Sequence, residues 1–141
     1  MALAADDRRR PRHAALVAAA RMIARLWRAA GWLGVAAALV LSLTPPVLHE
    51  SGHGDKIVHL AGYAVLMFWW AQIVVHRRWR LALAVVLLGA AIELLQGLTP
   101  DRDPDVFDAL ANTLGVLSGW FAARMLPNLP TLFAPLPARQ R

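Results

Sequence analysis

The sequence has no cysteine and few charged residues, and each shortage excludes a class of protein. Without cysteine among its 141 residues, the chain has neither a disulfide framework nor a thiolate metal site. Charged residues make up 17% of the chain and hydrophobic residues 58%, whereas soluble domains have about 25% and about 45–50%. Because the hydrophobic residues fall in four blocks with most charges between them, the composition predicts a membrane protein.

The four hydrophobic blocks predict an all-α fold with four transmembrane helices. The blocks are Ala29 to Thr44, Lys56 to Val75, Leu81 to Leu98 and Asp105 to Met125. A span needs about 20 apolar residues, so the first block is short unless it uses its flanking turns. We expect one four-helix membrane domain over residues 29–125, with polar or basic loops between the helices.

The positions of the basic residues predict the orientation of these helices. Of the 15 lysines and arginines, only Lys56 and Arg102 fall on one side of the four-helix arrangement. Because basic residues are enriched in cytoplasmic segments, both termini are expected to be cytoplasmic. Because the basic residues lie on the cytoplasmic side of the helices, we expect the net charge of +6 to favour contact with anionic lipid. We therefore expect no nucleic acid partner.

The two ends of the chain differ from the membrane blocks. Residues 1–28 form a basic arm, of which 1–12 are expected to be disordered or interfacial and 13–28 helical. Three arginines of this helix recur at i, i+4 and i+7: Arg21, Arg25 and Arg28. Such a helix could bind anionic lipid of the inner leaflet or simply extend the first span. The proline-rich residues 126–141 are expected to form an irregular cytoplasmic tail.

Most ionisable and amide side chains within the apolar blocks lie near the non-cytoplasmic end. They come from three helices: Lys56, His59 and Tyr63 from the second, Glu93 and Gln96 from the third, Asp108 and Asn112 from the fourth. A charge inside a membrane helix costs at least a few kcal/mol unless it is paired or hydrated. The arrangement therefore predicts one small polar pocket, with Gly115 and Gly119 allowing close helix packing below it.

Several chemistries fit these residues. Lys56 and Arg102 could both be free to bind a phosphate or carboxylate, with Tyr63, Gln96 and Asn112 as further binding residues. His59 beside Glu93 or Asp108 could act as a general base, which makes these three the candidate catalytic residues. The same three could ligate a divalent metal, but no spacing indicates one, so no metal or cofactor is expected. Alternatively, the polar residues only cross-link the helices.

The order and spacing of these residues resemble the VanZ-like membrane proteins over about residues 35 to 122. The matching segments are Ser42-Leu43-Thr44-Pro45, Asp55-Lys56-x-x-His59-x-x-x-Tyr63, Glu93-x-x-Gln96, Arg102 six residues before Asp108, and Asp108-x-x-x-Asn112-x-x-Gly115-x-x-x-Gly119. The resemblance implies a small multi-pass protein of the bacterial cytoplasmic membrane. The named member of that family is associated with low-level resistance to the lipoglycopeptide teicoplanin.

Three functions follow as hypotheses. The resemblance mainly implies that the outer-leaflet pocket recognises or handles an envelope lipid head group or a lipidated amphiphile. The first alternative is a membrane enzyme that acts on a phosphorylated lipid with His59 and Glu93 as an acid–base pair. The second is a structural helix bundle that serves a partner protein. Full pairing of Lys56 and Arg102 with acids would favour the structural bundle.

Overall fold

In the computed structural model, residues 3–44, 53–98 and 105–133 are described, and they form helices joined by short connections. The helices are α1 Leu3–Leu43, α2 His53–Ala71, α3 Arg78–Gln96, α4 Val106–Met125 and α5 Leu129–Phe133. These residues contain no strand, which confirms the all-α prediction. Three helices are long and apolar enough to cross a membrane, namely α1 (over Ala14–Leu43), α3 and α4. The chain is therefore a helical membrane protein.

The remaining long helix, α2, does not meet that measure of length and hydropathy. Its 19 residues begin with a polar segment that includes Asp55, Lys56 and His59, and these side chains lower its mean hydropathy. It ends at Ala71, one turn before the predicted Val75. Its second half is apolar and holds Met67, which is completely buried in the core.

Both ends of the described chain are more helical than predicted. The backbone of residues 3–12 continues α1, so of the two alternatives expected there the interfacial one remains a prediction, and the alanine- and arginine-rich composition favours helix. The tail was expected to be irregular from residue 126, but α5 forms within it. Gln72 explains this, because its backbone oxygen accepts from Asn128 Nδ2 at 2.8 Å and its side-chain oxygen from the Leu129 amide at 2.9 Å.

The α2 and α4 helices run parallel in close contact. Leu60 lies against Gly115 and Ala64 against Gly119, so the contacts follow the same order in both helices. A Cβ atom added at either glycine would fall on the carbonyl oxygen of its partner on α2. Only glycine allows backbones to approach this closely, and the predicted role of the two glycines in helix packing is confirmed.

The α1 helix runs antiparallel to α2 and meets it at an aromatic cluster. The rings of Trp27 and Trp69 stack with their centroids 4.1 Å apart, and Trp69 Nε1 donates to the Trp27 carbonyl oxygen at 2.9 Å. Nearby, Trp32 meets Trp70 edge to face at 5.1 Å. This cluster ties α1 to the C-terminal half of α2, at the end of the bundle far from Lys56 and His59.

Candidate ligand site at the polar end of the bundle

Four helix ends meet on one side of the bundle: the C-terminal turns of α1 and α3 and the N-terminal turns of α2 and α4. We call this region the polar end. Hydrogen bonds connect its helices, because Gln96 Nε2 on α3 donates to the Ser42 carbonyl oxygen on α1 at 2.8 Å. Similarly, the Asp105 amide at the start of α4 donates to Glu93 Oε1 on α3 at 3.0 Å. The up-and-down order of the helices thus brings the predicted polar residues together.

Lys56 is held between two carboxylates. Its Nζ atom lies 2.7 Å from Asp105 Oδ2 and 3.0 Å from Asp108 Oδ1. The Lys56 ammonium and the Phe107 amide hold the pKa of the Asp105 carboxyl below its usual value. Lys56 is therefore paired with the N-cap and with the first turn of α4 and is not a free cation, while its predicted role in binding an anion stays a prediction.

His59 lies beside aspartates and an asparagine. Its Nδ1 is 3.0 Å from Asn112 Oδ1, and its Nε2 is 3.6 Å from Asp55 Oδ1 and 3.9 Å from Asp108 Oδ2. Only about one tenth of the His59 side chain is exposed. The predicted proximity of His59 and Asp108 is confirmed. It arises because α2, which carries His59, packs against α4, which carries Asp108.

Glu93 does not contact His59, so the described structure does not bring together the two residues of the predicted His59–Glu93 acid–base pair. Within the described residues, the carboxylates within 4 Å of the imidazole belong to Asp55 and Asp108. Glu93 is 8% exposed, and its Oε1 instead accepts from the Asp105 amide. The aromatic ring of Tyr63 packs against Gly89, one turn before Glu93 on α3. Glu93 Oε2 and the Tyr63 hydroxyl are buried, and neither has a hydrogen-bond partner among the described residues.

The structure thus brings most of the predicted site residues to the polar end. Seven of them lie among the described residues: Lys56, His59, Tyr63, Glu93, Gln96, Asp108 and Asn112. The eighth, Arg102, lies outside the described residues. The predicted site omitted Asp55 and Asp105. Asp55 could have been found from its i, i+4 spacing to His59. Asp105 could have been found from its position before an apolar helix, which is typical of an N-cap. Asp105 does cap α4, since its side chain accepts from the Phe107 amide.

A groove of about 660 Å³ runs between α1 and α2 and reaches the polar end. Its α1 wall consists largely of small residues, including Gly31, Gly34 and Ala38. The α2 wall runs from Asp55 and His59 at the polar end to Trp69 in the aromatic cluster. The groove is therefore apolar along most of its length and polar at one end.

The VanZ/LLP1 family model matches residues 9–127 of the chain. The chain belongs to the VanZ/LLP1 family. The match confirms the family resemblance and includes most of the basic arm as well as the membrane helices. Comparisons with curated proteins and with solved structures find no match. For this VanZ/LLP1 protein, the groove and the polar end are therefore the features that bear on function.

Proposed function

We propose that this VanZ/LLP1 protein binds an envelope lipid or lipidated amphiphile in the groove between α1 and α2, with the head group at the polar end. The main support for this proposal is the shape and chemistry of the groove. In a membrane, a groove with apolar walls is filled most favourably by an apolar chain. The carboxylate of Asp55 and the imidazole of His59 face the same groove and suit a polar head group.

The dimensions of the groove suit an acyl chain. Its α1 wall extends from Ala30 to Ser42, which is ~18 Å at 1.5 Å per residue. Half of a ~30 Å hydrocarbon core is ~15 Å, so the wall covers the depth of one leaflet. The aromatic cluster marks the inner end of the groove, and the polar end lies where lipid head groups begin.

Filling the groove at Gly62 is expected to abolish binding without unfolding the protein. A Cβ atom added at Gly62 meets nothing within 4 Å, so Gly62→Trp has room to enter the groove. We expect photolabelling by a phosphatidylglycerol with a diazirine in its acyl chain to fall at least about tenfold, as for a site that loses 1.4 kcal/mol or more. The measurement is mass spectrometry of labelled protein in nanodiscs, together with thermal melting in detergent.

Leu87→Trp is the matched control, since Leu87 is 58% exposed on α3 and does not line the groove. Its labelling and melting should equal those of the wild type. Equal labelling of Gly62→Trp, Leu87→Trp and the wild type would refute binding in the groove. The same variants can be tested for teicoplanin sensitivity in cells, which examines whether the amphiphile includes a lipoglycopeptide.

We further propose that α2 is the fourth span and that both termini face the cytoplasm of a bacterial inner membrane. The aromatic cluster and the glycine contacts hold α2 alongside α1 and α4, which supports its crossing with them. The exposed arginines Arg21, Arg25 and Arg28 would then meet anionic lipid of the inner leaflet.

The absence of cysteine makes this orientation directly measurable. Single variants Ser51→Cys and His76→Cys place one thiol before α2 and one after it in the sequence. In intact cells, a membrane-impermeant maleimide should label Ser51→Cys, and it should label His76→Cys only after permeabilisation. Labelling of both positions from the same side would show that α2 does not cross the membrane.

A structural helix bundle that serves a partner protein is the second candidate, and the pairing of Lys56 favours it. Two carboxylates bind this lysine, as a cross-link between α2 and α4 requires. Such a bundle does not require an open groove beside His59, however. The Gly62→Trp experiment separates the two functions. A purely structural bundle would have no specific photolabelling by the lipid probe, so Gly62→Trp would be labelled like the wild type.

A further inference from the structure

We propose that Asp55, His59 and Asp108 form a binding site for a divalent transition-metal ion at the head-group end of the groove. One oxygen or nitrogen atom from each of these residues lies within 4.8 Å of the others. Bonds from Zn²⁺ to nitrogen and carboxylate oxygen are about 2.0–2.2 Å long, so two ligands of one ion lie at most about 4.4 Å apart. The distances of 3.6 Å and 3.9 Å from His59 Nε2 to the two carboxylates satisfy this limit.

Asn112 orients His59 as a metal ligand. An amide oxygen only accepts hydrogen bonds, so the contact of 3.0 Å with Asn112 Oδ1 places the imidazole proton on Nδ1. In that tautomer, the Nε2 lone pair faces the two carboxylates. Metal-binding histidines usually donate their other N–H to an acceptor in this way.

Asp108 has a similar supporting contact. Its Oδ1 accepts from Lys56 at 3.0 Å, while its Oδ2 is the oxygen that faces His59. The lysine therefore fixes the carboxylate and leaves one oxygen directed toward the proposed ion. Asp55 is more accessible, with 46% of its side chain exposed, and it lines the groove together with His59.

The electrostatics of the polar end also favour a cation between these groups. The described residues of this end contain four carboxylates, from Asp55, Glu93, Asp105 and Asp108, and one lysine. A lone pair and two carboxylates repel one another unless a positive charge lies between them. A proton on Nε2 would leave the N···O distances beyond the usual hydrogen-bond range of 2.7–3.2 Å, whereas a metal ion matches them.

The mixed ligand set indicates the class of metal. Imidazole together with carboxylates suits ions such as Zn²⁺ or Mn²⁺, whereas Mg²⁺ and Ca²⁺ prefer oxygen ligands alone. Three protein ligands leave at least one coordination position open toward the groove. A phosphate or carboxylate of a bound head group could occupy it, so the ion would provide the anion binding that Lys56 does not.

The test is metal titration of the full chain carrying an affinity tag without histidine. Protein in detergent is treated with chelator, dialysed, and titrated with ZnCl₂ or MnCl₂ by calorimetry. We expect one equivalent to bind, and Asp55→Asn and His59→Gln each to weaken the affinity at least about tenfold. Asp105→Asn is the control, because it removes a nearby charge outside the ligand set and keeps a good N-cap. Its affinity should stay within about threefold of the wild type, a difference below 1.4 kcal/mol.

Two results would overturn the metal site. One is the absence of binding to the wild type, which would assign the three side chains only to cross-linking α2 and α4. The other is an equal loss of affinity in Asp105→Asn and Asp55→Asn, which would indicate only general attraction to acidic groups. Because Asp55 is partly exposed, Asp55→Asn should melt like the metal-free wild type and keep the test valid if His59→Gln unfolds. The site does not depend on lipid binding, because its three ligands lie at the polar end and the titration is performed in detergent without added lipid.

Discussion

Gly115→Ala is expected to destabilise the protein by about 3 kcal/mol or more, at the upper end of the cost of overpacking a core. The added Cβ would fall on the carbonyl oxygen of Leu60, and the neighbouring Ala64 amide lies only 3.1 Å away. These are backbone atoms, so no side-chain rotation relieves the clash, and α2 and α4 must separate. Gly119→Ala should have a similar effect, because its Cβ would meet the Ala64 carbonyl oxygen.

Gly62→Ala provides the matched control for this prediction. It makes the same substitution within a helix, but nothing lies within 4 Å of the new Cβ. Since alanine favours helix more than glycine does, this variant should melt at or above the temperature of the wild type. The measurements are yield of folded protein and thermal melting in mild detergent. If Gly115→Ala melts like Gly62→Ala, the close contact between α2 and α4 does not support the fold.

Lys56→Met is expected to lower the melting temperature more than a substitution that removes an exposed cation does. The substitution leaves Asp105 and Asp108 without their shared partner, and the side chain of Asp108 is only 11% exposed. Removing one member of a charge pair leaves the others uncompensated, which often costs more than the pair itself contributes. Arg21→Met is the control, because the Arg21 side chain is exposed on α1.

The double variant Lys56→Met/Asp108→Asn should recover part of the stability lost in Lys56→Met. Neutralising Asp108 removes the charge that the lysine compensates, so the two substitutions should not be additive. Melting of the wild type, both single variants and the double variant gives the coupling directly. Equal melting of Lys56→Met and Arg21→Met would instead restore the hypothesis that Lys56 serves ligand binding and not the fold.

These two predictions concern different parts of the same helix pair. The glycines determine how closely α2 and α4 approach, and that approach brings Lys56 and His59 within reach of Asp108. A variant that separates the helices should therefore also disturb the proposed metal site. Metal affinity should fall in any Gly115→Ala protein that still folds, whereas it should be unchanged in Gly62→Ala.

The amino-acid sequence was sufficient to predict the helices and the composition of the polar end. The length and hydropathy of the blocks depend on local sequence, so the helical class and the three apolar spans could be predicted. The side chains that share a helix face could also be predicted, because the helical repeat places residues i, i+3, i+4 and i+7 together. The family resemblance rested on the same local spacings.

Only the tertiary structure decided which side chains became partners. Lys56 lies 49 and 52 residues from its two acids, and the register and rotation of α2 against α4 determine that pairing. The sequence left Glu93 and Asp108 both open as partners for His59, and in the structure Glu93 accepts instead from the Asp105 amide at the start of α4. The groove likewise depends on small residues of α1 lying opposite α2. Periodicity along one helix is a local property, whereas such contacts depend on how separate helices pack.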